Sequence, residues 1–405
     1  MFHQRVVRAR SGGDIIQVMT ALESIFDEEL GFDPGGDFAA FLKGAPAKWA
    51  VYLMADAEGR PVQLLCVKNL RYSLQRRLGT QTEEPRSKRV DYRELVRRVY
   101  WRRVDSALEA DWIYLEAARR IFPQTYRGMV GYRPAWFVHV DAEAAFPRYT
   151  KTIDIADKRG LVIGPVEDKH AAARLIALAE DAFDLCRYYN ILLEAPRGKA
   201  CAYKEMGKCP APCDGSIGME QYRRMIEWSA ATIVEPGEML REQKQRMAGA
   251  AGELRFEAAA KIKAFVDQLG QLGKGDFRHV RRLEDFAYVA VQKGSRKHLA
   301  KVFVVTAGEI EHIADLLEEP KVAAELLQTI GRRAERGKGR PLEEAGIERI
   351  GVVANHLFSA KTRGVILPLA QVDEKALAKA YREIVRQKAA EEVEGEGVMK
   401  ELQAM

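Results

Sequence analysis

The stretch CAYKEMGKCPAPCDG, residues 201–215, holds three of the five cysteines of this 405-residue chain. With Cys186 upstream, the four follow the order C-x14-C-x7-C-x3-C, and tight turns among them are supplied by Gly207, Pro210, Pro212 and Gly215. Four thiolates at one centre close a tetrahedral zinc site or hold an iron–sulfur cluster. Zinc sites usually contain two close cysteine pairs, and only Cys209 and Cys213 are close here. The spacing therefore favours a cluster bound by Cys186, Cys201, Cys209 and Cys213, with zinc as the alternative.

The composition predicts a cytoplasmic protein of about two or three domains. An odd number of cysteines without an export signal argues against a disulfide framework. Cys66, in the apolar run VQLLCVKNL, is expected to be a buried apolar side chain. No apolar run approaches the roughly 20 residues of a membrane span, so we expect no membrane association. The net charge is only +6, and its distribution matters more than its size.

Hydrophobic periodicity predicts an α+β fold. Strands are expected at WAVYLMAD and VQLLCV, joined by a turn at Gly59, then at AWFVHV and KTIDIA, and finally as a hairpin of FAYVAVQKG with LAKVFVVTAG. Helices are expected at WIYLEAARRIF, AAARLIALAEDAFDLCRYYNIL and GSIGMEQYRRMIEWSAATI. The stretch from Arg241 to Leu272 carries helical spacing that breaks near Gly249 and Gly252, which predicts two antiparallel helices.

Several separate motifs resemble UvrC, a subunit of the bacterial excinuclease. The order of Cys201, GKCPAPCDG, Ser216 and Tyr222 is similar to its cysteine region, and FPR at 146–148 and GP at 164–165 occur before it as in UvrC. Downstream, RFEAAAKIKAFVDQL resembles the UVR motif that UvrC shares with UvrB. The resemblance covers roughly residues 40 to 305 in consistent order. It corresponds to the N-terminal half of UvrC, as in the short Cho-type homologues.

The resemblance implies a domain order and a cofactor. After an extension, residues 1–44, it implies a small GIY-YIG-like nuclease domain over 45–132, a linker and cysteine-rich module over 133–235, and a UVR helical hairpin over 236–272. Residues 273–405 form a final α/β segment to which it gives no role. In the family, the cysteines matching Cys186, Cys201, Cys209 and Cys213 hold a [4Fe–4S] cluster.

The nuclease signature is matched in part. AKWAVYLMADAEGRPVQLLCVKNLR resembles the GIY-YIG hairpin, in which Tyr52 matches the first signature tyrosine. Glu116 matches the glutamate that holds Mg²⁺ or Mn²⁺. The second tyrosine, a glycine, a lysine and the arginine that faces the phosphate are replaced by Gln63, Leu65, Cys66 and Ser73. A neighbouring arginine is then expected to substitute, with Arg71 as the catalytic candidate.

These matches imply incision 3′ to a lesion in UvrB-bound DNA. That chemistry needs a hydrated metal ion, a base and a cation for the developing charge. The alternative is a catalytically degenerate relative that binds DNA or UvrB. A redox enzyme that uses the cluster is disfavoured because no GxGxxG loop accompanies the cysteines.

Two further surfaces are predicted to bind partners. Between Lys68 and Arg103 cations outnumber acids by about three to one, with aromatic residues among them, which is typical of DNA contacts. The DNA-binding candidates are Lys68, Arg76, Arg77, Arg93, Arg97 and Arg98. In the UVR hairpin, a UvrB-like protein is expected to contact Arg255, Phe256 and Glu257. Phe256 is also expected to pack between the two helices, with Arg255 and Glu257 facing outward.

Overall fold

A computed structural model describes residues 22, 24–79, 91–131, 133–317, 324–337, 341–359 and 364–387. In these residues, helices accompany three four-stranded sheets that follow one another along the chain, and all strand pairs are antiparallel. The α+β class predicted from the sequence is confirmed. Residues 1–21 and 23 of the predicted extension lie outside the described residues.

The first sheet contains the predicted hairpin and has the strand order β1-β4-β2-β3. Its strands are β1 (Glu28–Gly31), β2 (Ala50–Ala55), β3 (Pro61–Val67) and β4 (Arg98–Arg103). β2 and β3 pair across a turn that includes Gly59, whose φ of 78° favours glycine. Alternation along β2 sends Tyr52 to one face of the sheet and Val51 and Leu53 to the other.

Helices cover both faces of this sheet. They are α1 (Phe38–Gly44), α2 (Leu70–Leu78), α3 (Tyr92–Leu95) and α4 (Ala107–Ile121). α2 begins after Asn69 and α4 after Ser106, and each of these side chains accepts a hydrogen bond from a backbone N–H of the first turn. α2 packs on the Tyr52 face, whereas α4 packs on the Val51 face. The sheet therefore separates α2 from α4.

The second sheet, of order β6-β5-β7-β8, forms the middle unit. Its elements are β5 (Trp136–Val140), β6 (Tyr149–Thr152), β7 (Leu161–Val166), α5 (Lys169–Ala182), α6 (Tyr189–Leu192), α7 (Ala202–Glu205), α8 (Met219–Val234) and β8 (Arg281–Arg282). The predicted strand KTIDIA is wrong beyond Thr152, because the Thr152 hydroxyl bonds the backbone N–H and C=O of Asp154 and ends β6. The long helix predicted over residues 171–192 is interrupted after α5, where Asp184 has a φ of 51°.

A helical hairpin is inserted into the middle unit. It consists of α9 (Pro236–Gly252) and α10 (Phe256–Leu269), and α9 ends at one of the two glycines where the break was predicted. After the hairpin the chain returns to the middle sheet, because β8 pairs with β7. The far end of α10 packs on α5, with the Phe265 ring 5.7 Å from Phe183, so the hairpin is anchored at its base.

The third sheet forms a C-terminal unit, residues 288–386. Its elements are β9 (Tyr288–Lys293), β10 (Ala300–Thr306), β11 (Glu309–Leu316), α11 (Ala324–Gly337), α12 (Glu344–Phe358), β12 (Gly364–Pro368) and α13 (Glu374–Arg386). The predicted hairpin is β9 with β10, in a sheet of order β11-β10-β9-β12. α11 and α13 cover one face of this sheet, and α12 covers the other together with α4 of the first unit.

One buried core joins the three units. Phe137 of the middle sheet and Val51 of the first sheet belong to the same cluster as Phe303 of the C-terminal sheet. The predicted domain boundaries stay predictions, although β8 completes the middle sheet from within the predicted final segment, residues 273–405. None of the described helices is long and apolar enough to cross a bilayer.

Candidate nucleic-acid interface and cysteine centre

Two of the four predicted cysteine ligands, Cys186 and Cys209, lie in the same buried cluster as Tyr222 of α8. Cys186, Cys209 and Cys213 are buried and free. The Cys186 backbone N–H donates to the Tyr222 hydroxyl of α8 at 3.1 Å, and the Ala211 N–H donates to Cys209 Sγ at 3.4 Å. These bonds hold two of the thiols in the core of the middle unit.

The turn at Pro212–Asp214 contains Cys213 and buries its side chain. Both flanking residues are left-handed, with φ of 56° at Ala211 and 80° at Gly215. A Cβ on Gly215 would also lie 3.1 Å from the Pro196 carbonyl oxygen, so glycine is required by both conformation and space. The turn residues singled out in the sequence therefore shape the backbone of the cysteine segment.

The thiols are not electrostatically equivalent. The Cys186 thiol donates to the Tyr188 carbonyl at 3.7 Å and lies beside Cys209, and the interaction of the two thiols raises the pKa of Cys186 and lowers the pKa of Cys209. Burial raises the pKa of the Cys213 thiol. Because a thiolate is the species that binds metal, Cys209 is the thiol of this pair that most readily becomes a ligand at neutral pH.

The fourth predicted ligand, Cys201, is half-buried and directly precedes α7, without a capping hydrogen bond from its side chain. In the part of the chain that the structure describes, no group of three or more His, Cys, Asp or Glu side chains is arranged to hold a metal ion. The donor types suit a thiolate-bound iron or zinc centre, which stays a prediction. Cys66 was expected to be buried, and this is wrong: it is exposed on β3 and accepts a hydrogen bond from Trp49 Nε1 at 3.4 Å.

A polar cluster surrounds Tyr52 on the α2 face of the first sheet. Tyr52 Oη lies 2.8 Å from Ser73 Oγ, and Arg77 Nη1 donates to Gln63 Oε1 at 2.8 Å. Burial raises the pKa of Tyr52, although its bond to Ser73 and the charge of Arg77 oppose this. The Tyr52 cluster, defined as Tyr52, Gln63, Ser73 and Arg77, thus contains two of the residues that depart from the nuclease pattern.

Arg77 has no carboxylate partner among the described residues. The guanidinium is half-buried, and its neighbours are neutral: the Gln63 amide, the Tyr52 hydroxyl and the Tyr92 ring, whose centroid is 5.8 Å away. The catalytic candidate Arg71 instead donates its Nε to the Ala45 carbonyl at 2.9 Å. Of the two, Arg77 is therefore the arginine that lies beside Tyr52.

The other predicted DNA contacts divide into exposed and structural side chains. Lys68, Arg76 and Arg98 are exposed, and Tyr72 beside Arg76 is 55% exposed. Arg93 and Arg97 are half-buried and donate to backbone carbonyls, Arg93 to Leu78 and Pro34, Arg97 to Arg93 and Val96. Their guanidinium groups therefore hold loops together. Three further cations of this stretch, Arg86, Lys88 and Arg89, lie outside the described residues.

Glu116, the predicted metal ligand, is occupied by an ion pair. Arg349 of α12 donates its Nε to Glu116 Oε1 at 2.6 Å and its Nη2 to Oε2 at 3.1 Å. The two side chains are 22% and 16% exposed. Because Glu116 belongs to α4, the first sheet lies between it and Tyr52. The structure does not bring Tyr52, Arg71 and Glu116 into one site.

The predicted partner-binding residues lie at the tip of the helical hairpin. Arg255 pairs with Glu253, and Glu257 is exposed. Phe256 was expected to pack between the helices, and this is wrong: it is 65% exposed, and Leu254 beside it is 73% exposed. The tip therefore presents two apolar side chains between charged ones.

One protein-family model matches the unit that contains the cysteines. Residues 135–231, from β5 to α8, match the family model described as "UvrC/Cho excinuclease, middle domain". The predicted resemblance to UvrC is confirmed. This region includes Cys186, Cys201, Cys209 and Cys213.

Curated relatives named UvrABC system protein C extend the similarity. The chain is 29% identical over 178 residues to the one from Syntrophomonas wolfei (43% of this chain, 29% of the relative), and 27% identical over 238 residues to that of Caldanaerobacter subterraneus (56% and 37%). With Clostridium beijerinckii it shares 26% identity over 282 residues (68% and 44%). The chain thus spans less than half the length of these relatives. No solved structure matches.

Some residues of these sites were not found from the sequence. Arg349, which pairs with Glu116, is 233 positions away, and no spacing rule links the two. Tyr222 was part of the resemblance, but its bond to the backbone of Cys186 was not predicted. The position of Tyr222 after the cysteines was the feature of the sequence that could have indicated this bond.

Proposed function

We propose that this chain is a UvrC-like nucleotide excision repair protein of the cytoplasm that binds duplex DNA and a UvrB-like partner and does not itself incise DNA. The similarity to UvrABC system protein C supports the repair role. The observation that carries the rest is the separation of Tyr52 from Glu116 by the first sheet. Nuclease chemistry needs base, cation and metal ion around one phosphate, and groups on opposite faces of a sheet do not meet that condition.

DNA binding is assigned to α2 and the Tyr52 cluster. Lys68, Arg71 and Arg76 are exposed on this surface, and Tyr72 adds an exposed aromatic ring. Cations of this kind bind the phosphate backbone through counterion release, which is independent of sequence. Arg77, half-buried beside hydroxyl and amide groups, adds a donor set that can hold one phosphate oxygen in a fixed place.

The UvrB-like partner is assigned to the hairpin tip. Leu254 and Phe256 are exposed apolar residues, flanked by Arg255 and Glu257. An aromatic side chain ringed by charged groups is the usual composition of a small protein-binding spot. The base of the hairpin is anchored on α5, so the tip can dock without disturbing the middle unit.

The four cysteines are proposed to hold a [4Fe–4S] cluster. When bound, the cluster would join the segment before α6, the start of α7 and the turn at Pro212–Asp214 through thiolate bonds. The burial of Cys186, Cys209 and Cys213 and the low pKa of Cys209 support this assignment.

A nicking assay tests the absence of incision. Lesion-containing duplex loaded with a UvrB-like protein is incubated with the chain in Mg²⁺ or Mn²⁺, and we expect binding without strand cleavage. Glu116→Gln is the matched variant and should behave like wild type. Metal-dependent nicking by wild type that Glu116→Gln abolishes would restore the nuclease assignment. Metal-dependent nicking that persists in Glu116→Gln would also contradict the proposal and would assign the metal ion to other residues.

A further inference from the structure

A row of side chains on the outer face of α4 meets the C-terminal unit. Glu109, Trp112 and Glu116 are spaced by three and four residues, so they share one side of the helix, and Asp105 lies two residues before its first residue. Facing them in the C-terminal unit are Lys301 and Phe303 of β10 and Arg349 of α12. Acids on α4 are thus matched by bases on the unit, with an aromatic pair between them. We call this contact the α4 seam.

At the first end of the seam, Lys301 is held by two carboxylates. Its Nζ lies 2.7 Å from Asp105 Oδ2 and 2.9 Å from Glu109 Oε1. The three side chains are only 14%, 15% and 8% exposed. Burial alone would lower the pKa of Lys301, but Glu109 and Asp105 raise it above its ordinary value. Removing one partner would leave a buried charge unpaired, so the three side chains stabilise the contact only together.

The middle and the far end of the seam are equally specific. The Trp112 and Phe303 rings meet edge to face, with centroids 6.3 Å apart. Arg349 holds both oxygens of Glu116 and also donates its Nη1 to the Gly308 carbonyl at 2.8 Å. That carbonyl lies between β10 and β11, so Arg349 links α4, α12 and the sheet of the C-terminal unit.

We propose that the C-terminal unit is an internal clamp whose partner is α4 of the same chain. The order of charges along the seam favours one register of the unit on α4, because a shift by one helical turn would move Lys301 to a place between Glu109 and Trp112 and leave Asp105 unpaired. The clamp holds the first unit in one orientation and takes the carboxylates of α4 out of reach of any cation or other partner. This gives residues 288–386 a role, and it does not depend on the proposed function.

Charge reversal in the full chain tests the clamp. We measure hydrogen exchange in peptides covering α4 for Glu116→Arg, Arg349→Glu and the double variant. Each single reversal should speed exchange in α4 by about tenfold, the size of coupling found for neighbouring charged residues. The double variant should recover much of the protection, since the pair is restored with its charges exchanged. Peptides from α8 in the middle unit serve as the internal reference.

The exposed pair Arg127–Glu344 supplies the matched control, because it crosses the same two units with side chains 69% and 64% exposed. Its reversals, Arg127→Glu and Glu344→Arg, should leave α4 exchange near the wild-type rate. If a single reversal at the seam unfolds the whole chain, Glu116→Gln replaces it and should speed exchange in α4 selectively. The clamp is overturned if the variants at Glu116 and Arg349 leave α4 exchange unchanged, or if the double reversal is no better protected than the single ones.

Discussion

Gln63 determines which ligand Arg77 can hold. The Gln63 amide oxygen accepts one hydrogen bond from the guanidinium at 2.8 Å but adds no charge. The positive charge of Arg77 is therefore open to an external anion, and a phosphate oxygen is the anion that a DNA-binding surface meets. A carboxylate at position 63 would occupy the same place from within the protein.

Gln63→Glu should consequently weaken DNA binding while preserving the fold. The internal carboxylate would pair with Arg77 and exclude one phosphate contact, so the slope of log affinity against log salt should fall by about one unit. Fluorescence anisotropy with duplex DNA across salt concentrations measures this, and the melting temperature should not decrease. Gln245→Glu places the same charge on an exposed position of α9, outside the proposed DNA-binding surface, and is the control. Equal slopes for the two variants would argue against Arg77 as a phosphate contact.

The cysteine assignment also makes a prediction at single residues. Cys209→Ser removes the thiol whose pKa is lowest in the Cys186–Cys209 pair, so iron content and the brown colour of anaerobically prepared protein should be lost. Cys66→Ser, at an exposed cysteine on β3, should retain both. Stoichiometric zinc without iron in the wild-type protein would favour the zinc alternative.

At this scale the sequence predicted residue types better than their roles. Arg76 and Arg77 were both DNA-binding candidates, but helical spacing alone could not show that Arg77 turns towards Tyr52 and Gln63. Arg93 was a candidate for the same reason, and backbone carbonyls that only the folded chain brings near it accept its hydrogen bonds. Charge density predicts a surface, whereas hydrogen bonds decide which of its cations are available.

Among the elements, the helical hairpin shows the largest change from the sequence-based expectation. Its two helices were predicted, since small and apolar residues recur at helical spacing on both sides of Gly252. The position of Phe256 was wrong because it is the first residue of α10 and lies at the turn, beyond the contact between the helices. Periodicity does not specify where a helix begins relative to its partner.

Phe256→Asp is therefore expected to weaken partner binding without unfolding the hairpin. Replacing a 65% exposed ring costs the fold little, whereas truncating an exposed aromatic anchor in an interface typically costs about 2 kcal/mol or more. Pull-down with a UvrB-like protein and circular dichroism report the two effects separately. Leu317→Asp changes a 58% exposed leucine of the C-terminal unit and is the control. Unchanged pull-down, or loss of helicity, would contradict the assignment of the tip.

Strand β7 was not predicted, and its sequence explains why. The run LVIGPV contains glycine and proline, both of which argue against a strand interior. Gly164 is required there, because a Cβ would lie only 2.6 Å from the Phe137 ring of the neighbouring strand β5. A pattern that signals a loop thus marks a place where two strands approach closely, and only the packed structure distinguishes the two.

For the whole molecule, the junction between the middle and C-terminal units contains a half-buried histidine, His279. His279 Nε2 accepts a hydrogen bond from Arg278 Nε at 3.0 Å, and its ring packs against Phe358 of α12. Burial, with help from Arg278 and Arg281, lowers the pKa of His279 from 6.5 to about 4. The folded protein therefore favours the unprotonated, neutral form of the His279 ring.

This shift predicts a pH dependence of stability. As pH falls from about 6.5 to about 4, the unfolded chain takes up a proton at this histidine while the folded chain does not, so stability decreases over that window. Above pH 6.5 the group contributes no pH dependence. Between pH 7.5 and 4.5 the melting temperature of His279→Gln should decrease less than that of wild type. His139→Gln is the control and should follow wild type. Parallel curves for wild type and His279→Gln would contradict the assignment.

The packing of the units against one another was the feature least predictable from the sequence. The three-part order of sheets follows the order of the sequence, and the resemblance to UvrC covered the middle unit well. The contact of Lys301 with Glu109 joins positions 192 residues apart, and no local pattern in either segment indicates the other. Long-range pairs of this kind arise from packing, which a single sequence does not display.

The hairpin begins directly after α8 and ends before β8, so both of its ends belong to the same middle unit. A segment anchored in this way can be replaced without moving the elements on either side of it. Its arm can lengthen, shorten or be exchanged for one with another binding preference while the entry and exit points stay fixed. The proposed partner specificity of the tip can therefore evolve, or be redesigned by grafting, without any change to the surface proposed to contact DNA.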